Sequence, residues 1–421
     1  MCLRGGSTIP ASHSGVLPAT NQPATARLSF AQAFDPKNNA FGFLRLALAV
    51  LVIFSHSYPL GGFGIDRLES YTGGRYTIGL VSVAMFFVLS GFLICRSASN
   101  SRTVFRFLWH RFLRIFPAYW VCLVMCACVF APLVAYIEFD TFLRVFSAPR
   151  NSPQDFMIGN AALFHFNHLS ISGILLPTPT SIAGLLSQNP MPRVINGSLW
   201  TLPFEVTCYL GVALLAATGV LRRAKGTIIA LYAGLWGLYA FDCLDPKGFW
   251  QCFPYVGMKS FVMLSLFFTA GCAAFLYREK IPYSRAAFAI SLLLVAASLP
   301  LGIFGLIAPI AMTYAFLWLA FALPFARFDR KGDFSYGTYI YAFPVQQGLA
   351  LIRIQDEGFA LYFTCSLLLT SVLAVLSYRL IEAPSLRLKA LKIPRFPETT
   401  GSSVVQPTET PGAHLAARTV L

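Results

Sequence analysis

Arg45 and His56 stand in a single apolar run, "FGFLRLALAVLVIFSHSYPL", residues 41–60. An ionisable side chain at mid-bilayer costs about 2.5–3.5 kcal/mol on insertion scales, so one that persists there calls for a function. Eleven residues at about 100° each turn a helix through about three full turns, which puts the pair on one face about 16 Å apart along the axis. Arg45 then lies at an edge, where a long side chain can snorkel. His56 lies near the opposite surface, where an imidazole can exchange a proton near neutral pH. Glu205 follows in "NGSLWTLPFEVTCYL", residues 196–210. Counted inward along its span it falls roughly 10 Å below the same surface, against roughly 6 Å for His56. A carboxylate bonded to one imidazole nitrogen fixes the tautomer and raises basicity at the other, so His56 and Glu205 are the expected general base and its partner. The alternative is a purely structural pair between helices.

A second group of residues suits an anion. In "WHRFLRIFPAYW", residues 109–120, Arg111 and Arg114 are three residues apart and project from one side of a helix. Arg106 and His110 precede them at helical spacing. A guanidinium is a planar fork that can hold phosphate oxygens two at a time. Arg45 belongs at the same edge. The plainer reading is an ordinary basic anchor at the membrane surface. In "SVAMFFVLSGFLICRS", residues 82–97, Ser90 offers a hydroxyl and Gly91 allows close approach by a helix or a ligand. Asn196, Ser198 and Tyr336 are candidate donors to a developing oxyanion, and Trp200 suits the aromatic belt at the interface.

The elements that must position these groups are membrane helices. Of 421 residues, 56% are hydrophobic and only 12% are charged, where globular chains are about 25% charged. Apolar runs of the length needed to cross about 30 Å of hydrocarbon recur along the chain. They are continuous rather than alternating, which excludes a β-barrel. The expected fold is an all-α polytopic bundle of about ten spans, near 41–60, 77–96, 115–135, 200–221, 227–243, 257–278, 286–302, 304–325, 335–353 and 359–381. The seventh and eighth are joined by a tight hairpin at Gly302 and Gly305. With this count, 24 of the 32 Lys and Arg fall on the side of the N-terminus and 8 on the other. That is the positive-inside bias, so both termini are expected in the cytosol. The same bias explains the net charge of +15 without a nucleic-acid partner.

Residues 1–40 and 389–421 are rich in small and polar residues and are expected to be disordered cytosolic tails around a membrane domain, 41–388. Cys122, Cys126 and Cys128 share one helix and match no zinc spacing, so no metal is expected. They suit close helix packing. Cys243 and Cys252 flank one outer loop and a bridge between them is open. The outer loop 136–199, with His165 and His168, is the expected place for ligand recognition.

Taken together, these segments resemble the acyltransferase-three family, polytopic membrane O-acyltransferases of bacterial surface glycans. The resemblance rests on Arg45 and His56 with ten residues between them, on "FFVLSGFL" at 86–93, on Arg111 and Arg114, on "SLWTLPFE" at 198–205, on "FSYGTYIYAFP" at 334–344 and on "RLIEAPSLRL" at 379–388. Many members carry a histidine at the position of Ala342, and many have a second glutamate at that of Val206. The resemblance implies an acyl-coenzyme A donor, usually acetyl-coenzyme A, reaching the site from the cytosol of a bacterial cell, and an inner-membrane location. It implies a glycan or lipid-linked saccharide as acceptor on the far side. A lipid-linked saccharide transporter would also want intramembrane His, Glu and Arg, but not the arginine pair. A sensor without turnover would tolerate loss of His56.

Overall fold

The computed structural model describes residues 28–142, 144–147, 152–163, 182, 185–244, 258–326, 328 and 332–391. Among the described residues the chain is mainly helical, joined by turns and short irregular stretches. Ten helices are named here: α1 Phe41–Leu60, α2 Ile78–Asn100, α3 Val104–Phe139, α4 Leu202–Ala217, α5 Gly226–Leu244, α6 Met258–Leu276, α7 Arg285–Ser298, α8 Phe304–Ala322, α9 Ser335–Leu351 and α10 Phe359–Ser377. Each expected span carries one of them. Among the described residues, eight helices are long and apolar enough to cross a membrane. The other two are α7, with 14 residues, and α9, with 17. At 1.5 Å per residue α7 reaches only about 21 Å, so it does not cross about 30 Å of hydrocarbon alone. It is joined to α8 by the expected hairpin, where Gly302 takes φ +70°. A left-handed backbone there is what glycine permits.

Two central helices, α2 and α6, meet most closely. A Cβ added to Gly91 would stand 2.0 Å from Phe268 O, and one added to Gly271 would stand 2.2 Å from Val88 O. Reciprocal glycines thus let the two backbones touch, the small-residue packing that membrane helices use in place of a hydrophobic driving force. Cys272 Sγ donates to Gly91 O at 3.3 Å across that contact. Cys122 and Cys126 are buried, as packing residues would be, whereas Cys128 is exposed. Outward faces carry apolar side chains, such as Leu292, Leu293 and Leu294 on α7.

Three features differ from the sequence reading. The segment 28–40 is ordered against the bundle. Phe30 is 1% exposed, and its ring packs on Tyr283, Tyr314 and Phe321. Its amide donates to Ile281 O at 2.9 Å, and Ala40 N donates to Ala320 O at 2.8 Å. One aromatic anchor with backbone bonds outweighs a polar composition. Next, α3 starts at Val104 and runs 36 residues to Phe139, longer than the expected 115–135. It passes through a π-turn at Cys126–Phe130, so basic residues 106–114 belong to the helix itself. Finally, the chain does not enter α4 at the surface. Asn196, Ser198, Leu199 and Thr201 are all nearly inaccessible. Asn196 Nδ2 donates to Ile340 O, part-way along α9, at 2.9 Å. The 3-10 turn Gly197–Thr201 is sunk inside the bundle. Cys252, His165 and His168 lie outside the described residues, as does most of the two expected tails.

Candidate active site

A cavity of about 130 Å³ opens between α1, α2, α3, α4 and α9. Its polar lining is Arg45, Ser90, Arg111, Arg114, Thr201, Glu205, Tyr209, Ser335, Tyr336 and Tyr339. The rest of the wall is apolar, including Phe86, Phe87 and Leu93 of α2. The sequence-predicted Arg45, Arg111, Arg114, Ser90, Glu205 and Tyr336 are therefore brought to one place. His56, Asn196, Ser198 and Trp200 are not in that wall.

The three arginines are not equivalent. Arg45 Nη2 lies 3.1 Å from Asp333 Oδ2, and Arg114 Nη2 bonds the same oxygen. Arg114 Nη1 also lies 3.4 Å from Glu382 Oε2, whose other oxygen accepts from Ser377 Oγ at 3.2 Å. Asp333 Oδ1 takes the Ser335 hydroxyl and, at 3.2 Å, the Ser335 amide. Burial alone would raise the Asp333 carboxyl, but the Arg45 and Arg114 charges and the two Ser335 bonds hold it well below the usual carboxylate range. Arg111 stands apart. It makes no ion pair among the described residues, and its buried Nε has no hydrogen-bond partner. The expected phosphate clamp is thus split. The fork of Arg114 is committed to two carboxylates, and that of Arg111 is open to the cavity.

Glu205 is held by neighbours other than His56. Its Oε1 accepts from Ser90 Oγ at 3.2 Å and from the Tyr209 hydroxyl, which itself accepts from Ser90 at 3.1 Å. Arg111 supplies the facing positive charge. The direct His56–Glu205 pair is not formed. The cause is the sunken turn before α4: depth counted from Trp200 assumes a helix that starts at the surface, and this one starts well inside. Glu205 is carried to the level of Ser90 and Arg111, at the Arg45 end.

His56 lies toward the other end of α1. Leu48 and Val52, both buried, fill the same helix face between it and Arg45. Its ring meets Phe343 edge to face, with centroids 5.5 Å apart, and its buried Nδ1 has no partner. Phe343 is also the ring on which Gly197 rests, since a Cβ there would come 2.5 Å from Phe343 Cε2. His56 and the Gly197–Thr201 turn therefore flank one aromatic ring. Within a 3-10 turn residues three apart eclipse, about 6 Å apart along the axis. Thr201, in the cavity wall, and Ser198 share a face for that reason. Thr201 Oγ1 bonds the Tyr339 hydroxyl at 2.7 Å, whereas the buried Ser198 Oγ has no partner.

The other expected oxyanion donors are already engaged. Asn196 Nδ2 serves Ile340 O, and its Oδ1 caps the turn by accepting from Ser198 N at 3.1 Å. Tyr336 donates to Ile115 O at 3.0 Å, under the Arg114 guanidinium. Trp200 is half-buried and packs edge to face on Phe204, a packing position rather than a belt residue. Asp333, Glu382 and Tyr209 were not foreseen. Asp333 follows glycine in a short basic segment, "RKGDFSYG", where a lone acid is ordinary. Its partner Arg45 is nearly three hundred residues away.

The model of an acyltransferase domain matches residues 38–379. The chain belongs to the acyltransferase-three family. This membrane acyltransferase is similar over 358 residues, at 29% identity, to a Shigella phage Sf6 protein named O-acetyl transferase, with 82% of this chain and 95% of the relative covered. It is also 27% identical over 391 residues to nodulation protein 10 of Rhizobium leguminosarum bv. viciae, covering 85% and 95% of the two chains. No solved structure matches the acyltransferase. Every residue of the cavity wall falls inside the matched region. Glu382 and the turn that follows it do not.

Proposed function

We propose that the protein transfers an acetyl group from acetyl-coenzyme A to a hydroxyl of a surface or lipid-linked saccharide, with the Arg45 end of the bundle facing the cytosol of a bacterial inner membrane. The observation that carries this reading is the division of polar groups along α1. An arginine-lined cavity with an open guanidinium, Arg111, lies at one end. Two buried polar atoms with no partner, His56 Nδ1 and Ser198 Oγ, lie toward the other. The phage relative named O-acetyl transferase supports the acetyl donor, and the basic bias of the termini side supports the orientation.

Coenzyme A joins an anionic nucleotide to a long neutral arm ending in a thiol. Arg111 suits the anion, and the apolar wall of α2 suits the arm. The thioester then passes Thr201 and Tyr339 toward Ser198. His56 takes the proton of the acceptor hydroxyl as its oxygen attacks the thioester carbonyl. The Ser198 hydroxyl, with no other acceptor, donates to the oxyanion of the tetrahedral intermediate. Collapse breaks the C–S bond, the ester leaves on the saccharide, and the imidazolium returns its proton to the thiolate. Glu205 acts at the donor end, where its charge, with the Tyr209 and Ser90 hydroxyls, faces Arg111.

The test uses membranes bearing the wild type or His56→Ala, supplied with acetyl-labelled acetyl-coenzyme A. Label should reach the saccharide fraction only with the wild type. Label in neither sample, with the protein present in the membrane, would overturn the acyl donor. Equal label in both would overturn the role of His56.

A further inference from the structure

Phe343 carries no polar group and is 3% exposed, yet it touches both carriers of the unpaired atoms. Its ring meets the His56 imidazole with centroids 5.5 Å apart and planes at 79°. An edge of the same ring lies on Gly197. A Cβ built there would come 2.5 Å from Phe343 Cε2, 2.7 Å from Cζ and 3.2 Å from Cδ2. Gly197 is not among the residues with a left-handed backbone, so glycine is needed there for space rather than for its dihedral freedom. Ser198, with its buried unpaired hydroxyl, is the next residue. One planar side chain is thus in contact with the imidazole and with the backbone that bears Ser198.

The ring is caged at that level by two fully buried glutamines on the next turn of α9. Gln346 Nε2 donates to Ile53 O at 3.0 Å and to Ser57 Oγ at 2.9 Å, and these two residues of α1 bracket His56. Gln347 Nε2 donates to Met191 O at 2.9 Å and to Val194 O at 2.7 Å, while Asn189 Nδ2 donates to Gln347 Oε1 at 2.7 Å. Those partners lie in the chain that leads into the Gly197–Thr201 turn. Asn196 Nδ2 adds its bond to Ile340 O, three residues before Phe343. A buried amide is costly unless it is bonded, and here the bonds go to the two segments that meet at the ring. A phenyl side chain has only two torsions, both confined by this packing. It is a stiff spacer, where an aliphatic chain would let the two segments drift.

We propose that Phe343 is a positioning residue for acyl transfer: its ring sets the separation between His56 and Ser198, and Gln346 and Gln347 hold the ring at their level. The inference rests on the roles given to His56 and Ser198 under Proposed function. The acceptor oxygen must lie beside His56 while the thioester carbonyl oxygen lies beside Ser198, and both belong to one tetrahedral intermediate. The distance between the two groups therefore has one working value, and a misplacement of about 1 Å costs up to about 10²-fold in rate. Phe343 is not in the wall of the arginine-lined cavity, so its loss should appear in turnover and not in donor binding.

The experiment follows label from acetyl-coenzyme A into the saccharide fraction of membranes bearing full-length variants, with melting temperatures read in detergent. Phe343→Leu keeps apolar bulk and loses the plane of the ring. Its kcat should fall about 10–100-fold, with KM for acetyl-coenzyme A within about twofold of the wild type. Gly197→Ala drives a methyl group into the ring from the turn and should show the same split, which keeps the test open if Phe343→Leu fails to accumulate. Both changes break one contact, so the double variant should be no slower than the slower single one. Adding Phe343→Leu to His56→Ala should likewise cost almost nothing more. Tyr362→Phe is the control for a loosened helix. It removes the bond from the Tyr362 hydroxyl to Gln346 O, 2.8 Å long, and should lower the melting temperature while kcat stays within about twofold. A kcat within about twofold in both Phe343→Leu and Gly197→Ala would overturn the spacer. So would losses that multiply in the double variant, a change confined to KM, or an equal loss of kcat in Tyr362→Phe. Full activity of His56→Ala would sink the reading under Proposed function and the spacer with it, whereas an inactive His56→Ala beside an unimpaired Phe343→Leu would sink the spacer alone.

Discussion

Arg114 and Arg111 are one turn apart on the same helix, yet their surroundings differ as much as any two residues in the molecule. Arg114 bonds Asp333 and Glu382, lies over Tyr336, and helps to join α3 to α9 and to the segment after α10. Arg111 faces the cavity with a buried donor unpaired. The same contrast holds along α1. Arg45 is tied to Asp333, whereas His56 touches a phenyl ring and leaves Nδ1 free. Charges whose partners are internal hold the helices in place. Buried polar atoms without partners are rare in native proteins and mark where a ligand or a reacting group completes the bonding. Residue type does not separate the two roles, and neither does spacing.

The contrast breaks most sharply at His56. His56→Ala should reduce acetyl transfer by about 10²–10⁴-fold, the usual contribution of a positioned acid–base group, with unchanged accumulation in the membrane. More than about a tenth of wild-type activity left in a transfer assay would remove it from the chemistry. Ser198→Ala comes next. Loss of an oxyanion donor lowers kcat about 10²-fold, and KM for the donor should hardly move. A change confined to KM would make Ser198 a binding residue.

At the partnered end the expected readout is stability. Asp333→Ala leaves Arg45 and Arg114 converging without their shared carboxylate. A fully buried pair would lose about 3–5 kcal/mol on such a change. These side chains are 23%, 21% and 16% exposed for Arg45, Arg114 and Asp333, so solvent screening reduces the expectation to about 2 kcal/mol. A lower melting temperature in detergent measures it. The Asp333 carboxyl titrates lower in the folded protein than in the unfolded chain. The stability it supplies is therefore complete above about pH 4 and declines as the pH falls below that value. Asp333→Asn should flatten this acid limb of the melting-temperature profile. A profile of unchanged slope would show that the ion pair does not control it.

The smallest effects sharpen the comparison. Arg111→Ala should weaken acetyl-coenzyme A binding about 10-fold and spare thermal stability, since its fork bonds no protein acid. Arg114→Ala should show the opposite balance. Equal losses of stability from the two would erase the distinction. Glu205→Gln should slow transfer on its own, and its effect should multiply with that of His56→Ala, because the two side chains do not touch. A double mutant no slower than His56→Ala alone would restore the direct dyad.

Much was legible in the amino-acid order because it depends on local periodicity. Continuous apolar runs fix helices, and each expected span carries one. Helical pitch fixes that Arg45 and His56 share a face and that Arg111 and Arg114 share a side. Gly91 signals close approach and Gly302 a tight hairpin, and the structure has touching backbones at the first and a left-handed turn at the second. The match to the family follows from the same short segments. Composition does not reveal the order of segment 28–40, because it averages over the length of the tail, while a single buried Phe30 decides it.

By itself the sequence determined that this is a helical membrane acyltransferase with basic groups at one end of α1 and an imidazole at the other. Only the tertiary structure decided which groups meet. Asp333 joins Arg45 and Arg114 across hundreds of residues of chain, a pairing no local pattern encodes. The turn at 197–201 is drawn inward because Asn196 bonds Ile340 O and Gly197 seats on Phe343, contacts made by a helix far along the chain. That inward step moves Glu205 away from His56 and toward Arg111. Depth along a helix is a local quantity only when the point of entry is known, and the entry point is set by packing.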